Sequence, residues 1–503
     1  YSIPDSMGIL MTFKYDNVGL MDFQRVDELH DIGYNRTISM MDSIKSRIHR
    51  RVNLDNIRLR RMVYRSNYPE LRFKNIIIDG ANTQQQAYIK KEFHKSDNKE
   101  FSYEDLKQGY FRLLSDNMIS EIIPHAIYNP EDDTYDLHLK VKLENNFAVR
   151  LGGNISTSNS NQIYLGLSYQ DLNYYAKEFV FDGQLGKVYN NAQFMAKIDF
   201  STAIPTSYRF IASISTFDYF KKDKLFSRND KPAFNQKDER FLKLQVGLPF
   251  LSSKRAEFGI GIARIEDKYF QKSVIDFGND KFDKSRYDLF GGSISFNGST
   301  LNSRQYPTRG YREALIAQIF IGRERFYPGE GATGNNNKEH HSWLQLSYMK
   351  EKYHNMSEHW VLGWYLKALY ASKNFSENYT ATMMQAGEFS PTQHSKLTYN
   401  EAFRANQFVG AGIRPIYRLN QMFHLRGEFY GFMPIYPIER NSLNKAYYGK
   451  AFSKFEYLGE ISVVCQLPFG DISAYVNHYS SPRREWNVGL SIGFQLFNYR
   501  FIE

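Results

Sequence analysis

Gly489-Leu490-Ser491-Ile492-Gly493 has the spacing of a nucleophile elbow, in which a serine between two glycines attacks an acyl carbon. That chemistry needs the serine on a sharp turn from strand to helix. Ser491 falls in the middle of an alternating stretch with no helix after it, so no catalytic role is expected of it. His340-His341 is the only adjacent histidine pair, and it lacks the acid and third histidine at helical spacing of a zinc hydrolase. Both are expected at the rim of a strand. Asn129-Pro130-Glu131-Asp132-Asp133 gathers carboxylates that could suit calcium, but without the spacing and central glycine of an EF-hand loop it reads as a polar turn. No phosphate-cradling glycine loop or dinucleotide fingerprint occurs, and the expectation is a chain with no catalytic residue, metal or cofactor of its own. The densest charge runs through Lys45, Arg47, Arg50, Arg51, Arg58, Arg60, Arg61 and Arg65. It reads either as a solvated helix face or as a basic collar for lipid phosphates, where each cation would contribute about 1 kcal/mol. Nucleic acid is a poor partner, because no base-reading module follows.

The elements that carry these residues are legible in composition and period. The 503 residues include 64 Lys and Arg against 54 Asp and Glu, 37 Tyr and 39 Phe, with a net charge of +10. Mean hydropathy is −0.54, and no apolar run reaches the length of about 18 residues that a membrane helix needs. A transmembrane β-barrel shows lipid only every second residue, so it stays polar overall while its interfacial girdles raise the aromatic content. A lone cysteine, Cys465, excludes an internal disulfide. From Phe147 onward alternation dominates, without a convincing helix. Strands are expected near 147–157, 161–170, 175–188, 190–202, 206–217, 240–252, 255–265, 284–297, 310–322, 339–353, 357–371, 406–418, 421–433, 452–467, 470–479 and 484–497. In the last, Trp486, Val488, Leu490, Ile492, Phe494 and Leu496 would face lipid. Phe455, Tyr457, Ile461, Val463, Cys465 and Leu467 would do so in the fourteenth. Long polar connections alternate with short ones, as outer-membrane barrels require. The stretch from Gly298 to Arg309 is a long exception among the short turns.

Ahead of the barrel, Phe73, Ile76 and Ile78 suggest a strand, Gln84 to Phe93 a helix, and Ser102 with Asp105 a capping box opening a second helix. A hairpin follows, Ile119 to Tyr128 and Tyr135 to Leu143, turning on the acidic pentapeptide. The order is β-α-α-β-β. Residues before it read as loop and helix, with Asp22 as N-cap and Phe23, Val26, Leu29 and Ile32 at helical spacing.

A β-α-α-β-β unit leading into sixteen strands resembles the bacterial surface antigen superfamily, the BamA and two-partner-secretion barrels, whose periplasmic unit is called POTRA. Two motifs carry the likeness. Arg304, Pro307 and Gly310 stand in the pattern of the family's R-x-x-P-x-x-G turn, and Phe403-Arg404-Ala405-Asn406 stands where the family has V-R-G-F. The resemblance implies that Arg404 folds into the lumen and pairs with a wall acid. Glu428 is the expected acid, since alternation turns it inward with His424, Arg426 and Tyr430. The stretch Gly19-Leu20-Met21-Asp22-Phe23 to Gly33-Tyr34 looks like the end of a patatin-like phospholipase domain, so the whole resembles an outer-membrane patatin-like protein of type V secretion. That family uses a Ser-Asp dyad with a D-G-A or D-G-G base. Asp79-Gly80-Ala81 matches literally but precedes the serine and ends a strand of the POTRA-like unit, so it is rejected.

The expected architecture is therefore a 16-stranded antiparallel transmembrane β-barrel preceded by one α/β POTRA-like domain and a short helical segment. Its divisions are 1–66, a patatin-like tail with a basic linker; 67–145, the POTRA-like unit; and 146–503, the barrel. Tyr1-Ser2-Ile3-Pro4-Asp5-Ser6 has no secretory character, and the chain is expected to be the C-terminal part of a longer protein. The implied role is to anchor an upstream patatin-like lipid acyl hydrolase in the bacterial outer membrane, with its translocation as a further role, and with the POTRA-like unit and both chain ends periplasmic. Implied partners are outer-membrane lipids and lipopolysaccharide, the upstream enzyme, the barrel assembly machinery and a second copy of the chain. The alternatives are a barrel that is itself a phospholipase, or a BamA-like insertase.

Overall fold

The computed structural model describes residues 8–13, 15, 18, 26–48, 53–66, 71–93, 100–157, 161–200, 204–220, 234–251, 254–271, 281–330, 332, 336–481 and 486–503. Gly19 to Phe23, with the expected N-cap Asp22, and Arg50 and Arg51 lie outside the described residues. Two compact units form: residues 1–72 with the hairpin tip 128–134, and residues 73–127 with 135–503.

The first unit contains α1 (Val26–Ser39), α2 (Met41–Arg47) and α3 (Leu54–Ser66), none of which buries a residue. On α3 the cations Arg58, Arg60 and Arg61 share the surface with exposed Leu54, Leu59 and Met62. Arg47 ends α2. Asp55 pairs with Arg58 across 3.6 Å, too exposed to contribute much stability.

In the second unit, β1 (Arg72–Asp79), α4 (Thr83–Phe93), β2 (Phe101–Ser102), α5 (Tyr103–Leu114), β3 (Ile119–Asn129) and β4 (Thr134–Leu143) form a sheet of order β2-β1-β4-β3 with two helices. Strands β1 and β4 run parallel, Ile76 beside Leu137 and Ile78 beside Leu139. The alternation read from the sequence buries Leu137, Leu139 and Val141 against Phe73, Ile89 and Leu113. The capping box is present: Asp105 N–H donates to Ser102 Oγ at 3.2 Å, and Ser102 N–H to Asp105 Oδ2 at 3.0 Å. Asp116 accepts from Tyr88 Oη at 2.9 Å and from Met118 N–H at 2.9 Å. Burial holds its carboxyl above the ordinary carboxylate range, although those hydrogen bonds favour the charged form. Leu172 and Ala176, flanking the first short barrel turn, complete this core.

Sixteen strands then close into an antiparallel barrel. The first eleven are β5 (Phe147–Ser156), β6 (Gln162–Leu172), β7 (Ala176–Gly186), β8 (Tyr189–Phe200), β9 (Thr206–Phe220), β10 (Phe234–Phe250), β11 (Lys254–Tyr269), β12 (Asp283–Ser299), β13 (Gly310–Tyr327), β14 (Asn337–Asn355) and β15 (Trp360–Ala371). A long connection holds α6 (Tyr379–Gln385) and the paired β16 (Gly387–Glu388) and β17 (Arg404–Ala405). The barrel resumes with β18 (Gln407–Arg418) and β19 (Phe423–Pro434). A small hairpin, β20 (Ile438–Arg440) and β21 (Ala446–Tyr448), precedes β22 (Glu456–Cys465), β23 (Asp471–Tyr479) and β24 (Trp486–Gly493).

The strands that lead into the long connections, β9, β11, β13, β15 and β19, all end on one side of the barrel, where β5, β7 and β23 also end in shorter turns, and the remaining turns lie on the opposite side. Strands β9 to β14 are 15 to 19 residues long, well beyond the roughly 9–11 that cross a membrane. The sheet therefore stands above the apolar band at the long-connection end. Trp486, Val488, Leu490 and Ile492 are exposed on the outside of β24 as expected, while Ser491 faces in. No helix among the described residues is long and apolar enough to span a membrane. Spanning rests on the barrel, which closes every strand edge.

Three expectations are corrected. Helix α6 does form beyond Phe147, because Asn378 caps it by accepting from Ala381 N–H at 2.9 Å. Cys465 is buried instead of facing lipid. The last strand stops at Gly493, whose φ of +115° turns the chain inward, so Phe494 and Leu496 leave the lipid face although they continue its period. Closure onto β5 is correspondingly short: Ser491 pairs with Ser156, Ile492 with Ile155 and Gly493 with Asn154.

Candidate functional site: a lumen closed by its own chain

Three segments fill the barrel. From the long-connection end, residues 372–406 descend and bury Phe389, Phe403 and Ala405 among Phe408, Phe432 and Tyr479 of the wall. From the opposite end, the 300–309 turn rises inward. Gly310 starts β13 at φ +91°, and a Cβ there would meet Thr300 O at 2.1 Å, so only glycine fits. Asn302 Oδ1 accepts from Thr308 N–H and Arg309 N–H, each at 2.9 Å, which folds the turn on itself. Pro307 is buried at its tip, while Arg304 remains exposed.

The third segment is 494–503. Phe501 packs against Phe241 and Phe320 on the far wall. Gln318 Nε2 donates to Phe501 O at 3.1 Å, and Glu503 N–H donates to Gln318 Oε1 at 3.0 Å.

Wall arginines clamp the first two segments together. Arg414 on β18 pairs with Glu351 and Glu428 and donates to Pro391 O at 3.2 Å. Arg426 on β19 pairs with Glu428 and donates to Pro307 O at 2.8 Å. Two carboxylates thus face two buried guanidinium groups, Glu428 bridging both, and each guanidinium also holds a carbonyl of an intruding segment. Gln393 Nε2 donates to Gln305 O at 2.7 Å, joining those segments directly. His394 Nδ1 lies 2.9 Å from Glu460 Oε1, its ring stacked on Tyr475.

Arg404 and Glu428 are both buried in the lumen, but not as a pair. Arg404 Nη2 meets Glu388 Oε2 at 2.9 Å, and its Nη1 donates to Ala386 O at 3.2 Å. Its guanidinium also lies 4.6 Å from the Tyr399 ring centroid. The acid that holds Arg404 belongs to its own loop because β16 and β17 pair Glu388 with Arg404 in register. Arg500 approaches the same Glu388 at 3.8 Å, so the third segment reaches the loop as well. Alternation could place Glu428 inward. No period could signal Glu388, which lies in a loop, or Glu351 and Arg414, whose roles depend on strands far apart in sequence.

The rejected chemical motifs remain apart. Ser491 Oγ is buried and lies 2.7 Å from Asn154 Oδ1, a partner that cannot serve as a general base. Asp79 lies beside Lys140 in the α/β sheet. The histidine pair splits: His340 is exposed, but His341 is buried against Glu324 at 2.9 Å, so only one of the two lies at the rim surface. At 129–133, Asp133 has φ +54° and accepts from Tyr128 Oη at 2.9 Å, as in an ordinary turn.

The fold and lumen define a membrane-spanning β-barrel of sixteen strands, plugged by its own chain and preceded by an α/β unit. The structure is similar to that of BamA from Haemophilus ducreyi lacking POTRA domains 1–3, with 13% identity and a TM-score of 0.56, covering 84% of each chain. CdiB from Acinetobacter baumannii aligns at 9% identity and a TM-score of 0.48, covering 84% of this chain and 74% of that one. CdiB from Escherichia coli aligns at 11% and 0.48, covering 85% and 77%. At this identity the likeness to BamA shows the fold. No protein-family model and no curated protein sequence matches the chain.

Proposed function

We propose that this chain is an outer-membrane barrel of the surface antigen superfamily that handles polypeptide, inserting it into the membrane or carrying it across. The observation that carries this reading is the lumen itself: it is closed by a loop, a turn and a terminal strap held by hydrogen bonds and ion pairs, all of which can be released without breaking the wall. A general diffusion porin would instead keep an open, water-filled channel. In its finer form, the passenger is an upstream patatin-like lipid acyl hydrolase, as Gly19 to Phe23 and Gly33-Tyr34 suggest. Residues 1–66 then join that enzyme to a POTRA-like unit at 67–145 and the barrel at 146–503, with the unit and both chain ends periplasmic. Arg47, Arg50, Arg51, Arg58, Arg60 and Arg61 would contact phosphates of outer-membrane lipid or lipopolysaccharide. Assembly machinery would insert the barrel, and a second copy could pair with it. The motif residues Arg304, Pro307 and Gly310 shape the turn that supports the plug.

Labelling with a serine-reactive fluorophosphonate separates an anchor from an enzymatic barrel. This chain should remain unlabelled, while the same chain extended upstream should label. Labelling of the 503 residues alone would overturn the anchor reading.

A further inference from the structure

We propose that Glu324, Glu339 and His341 form a binding site for a divalent transition-metal ion, zinc fitting the ligand set best, on the inner face of the β13–β14 pair near its long connection. Glu324 and Glu339 stand directly opposite in the strand register, and His341 lies two residues beyond Glu339 on the same face. One ligand atom from each lies within 4.8 Å of the others. Like charges directly opposite on a sheet repel, and among the described residues no lysine or arginine lies within 4 Å of either carboxylate. No lysine or arginine thus forms an ion pair with either acid, and the side-chain cations that bear on them are Lys373, at longer range from Glu324, and His341 if it is charged.

The surroundings are those of an oriented site. Glu324 Oε1 accepts from Tyr287 Oη at 3.0 Å and from Glu377 N–H at 3.4 Å, leaving Oε2 toward His341. Glu339 Oε1 accepts from Asn337 Nδ2 at 3.3 Å. Hydrogen bonds of this kind fix ligating carboxylates in metal sites. His341 is 3% exposed, and its Nδ1 has no hydrogen-bond partner among the described residues. One imidazole and two carboxylates suit zinc, with a position left for water, whereas an imidazole disfavours magnesium and calcium. The sequence concealed the site because one acid, Glu324, comes from across the strand pair, and the other, Glu339, stands at strand spacing from His341 and not at helical spacing. Since Glu377 belongs to the 372–406 loop, the ion would also tie the plug to the rim.

The full chain, stripped by chelator in detergent, is titrated with zinc chloride by calorimetry, with magnesium chloride in parallel. One zinc per chain is expected, no comparable magnesium binding, and X-ray absorption fine structure with only nitrogen or oxygen neighbours at about 2.0–2.2 Å and the outer-shell scattering of one imidazole. Glu339→Gln, near the strand end, should fold and weaken zinc binding by about tenfold or more, and His341→Ala should do the same. Folding of each variant is checked by the heat-dependent shift in gel mobility. Equal zinc affinity in wild type and Glu339→Gln would mark adventitious binding elsewhere and overturn the proposal, as would a wild type that binds no zinc.

Discussion

Arg404 shows what a single residue contributes to closing the lumen. Its charge is buried, and removing one partner of such a pair typically costs about 3–5 kcal/mol. Double-mutant cycles built on Arg404→Ala should give a coupling of about 0.5–3 kcal/mol with Glu388→Ala. The cycle with Glu428→Ala should give almost none, measured as the temperature at which the heat-modifiable folded band disappears. Strong coupling to Glu428 would reverse the assignment. Asp116 supplies a pH test outside the membrane. Its folded carboxyl is held above its ordinary value by burial, so the fold favours the protonated form. That contribution is fully present below about pH 4 and is lost as pH rises through the raised value. Asp116→Asn should therefore gain stability relative to wild type as pH increases. Exchange protection of the β1 and β4 amides, corrected for intrinsic rates, should show this divergence, and parallel pH profiles would contradict it.

Elements were legible wherever period alone decided them. Trp486, Val488, Leu490 and Ile492 announce β24 because lipid selects every second side chain, and Ser102 with Asp105 announces α5 through local hydrogen bonds. The inward segments were not legible for the complementary reason. Phe494 and Leu496 continue the lipid period beyond Gly493, but the chain follows a glycine turn toward Glu239, Gln318 and Gln345, partners more than 150 residues away. The 300–309 turn was visible as an exception in length, whereas its insertion depends on Arg426, Tyr306 and Ser473 meeting inside the barrel. Gly310→Ala tests that turn. Forcing a side chain at φ +91° onto Thr300 O should cost about 1–3 kcal/mol, seen as a lower melting temperature of the folded band. An unchanged melt would mean the turn does not support the plug.

At the scale of the molecule, a barrel of sixteen strands leaves a lumen wide enough for an aqueous channel, and the chain fills it with three of its own segments. Glu388 is where two of them meet, since it receives Arg404 from the loop and Arg500 from the strap. The wall pairs strand to neighbouring strand along its whole length, whereas the plug is held by side-chain packing and polar contacts, so the plug should open at a lower cost than the barrel. Single-channel conductance in planar bilayers tests this most directly, comparing the full chain with Glu388→Gln and with a variant lacking residues 494–503. The full chain should be closed for most of the record, and both variants should show frequent, large openings while retaining the heat-modifiable band. A wild type that conducts as a steadily open pore, unchanged by either alteration, would contradict a lumen closed by its own chain.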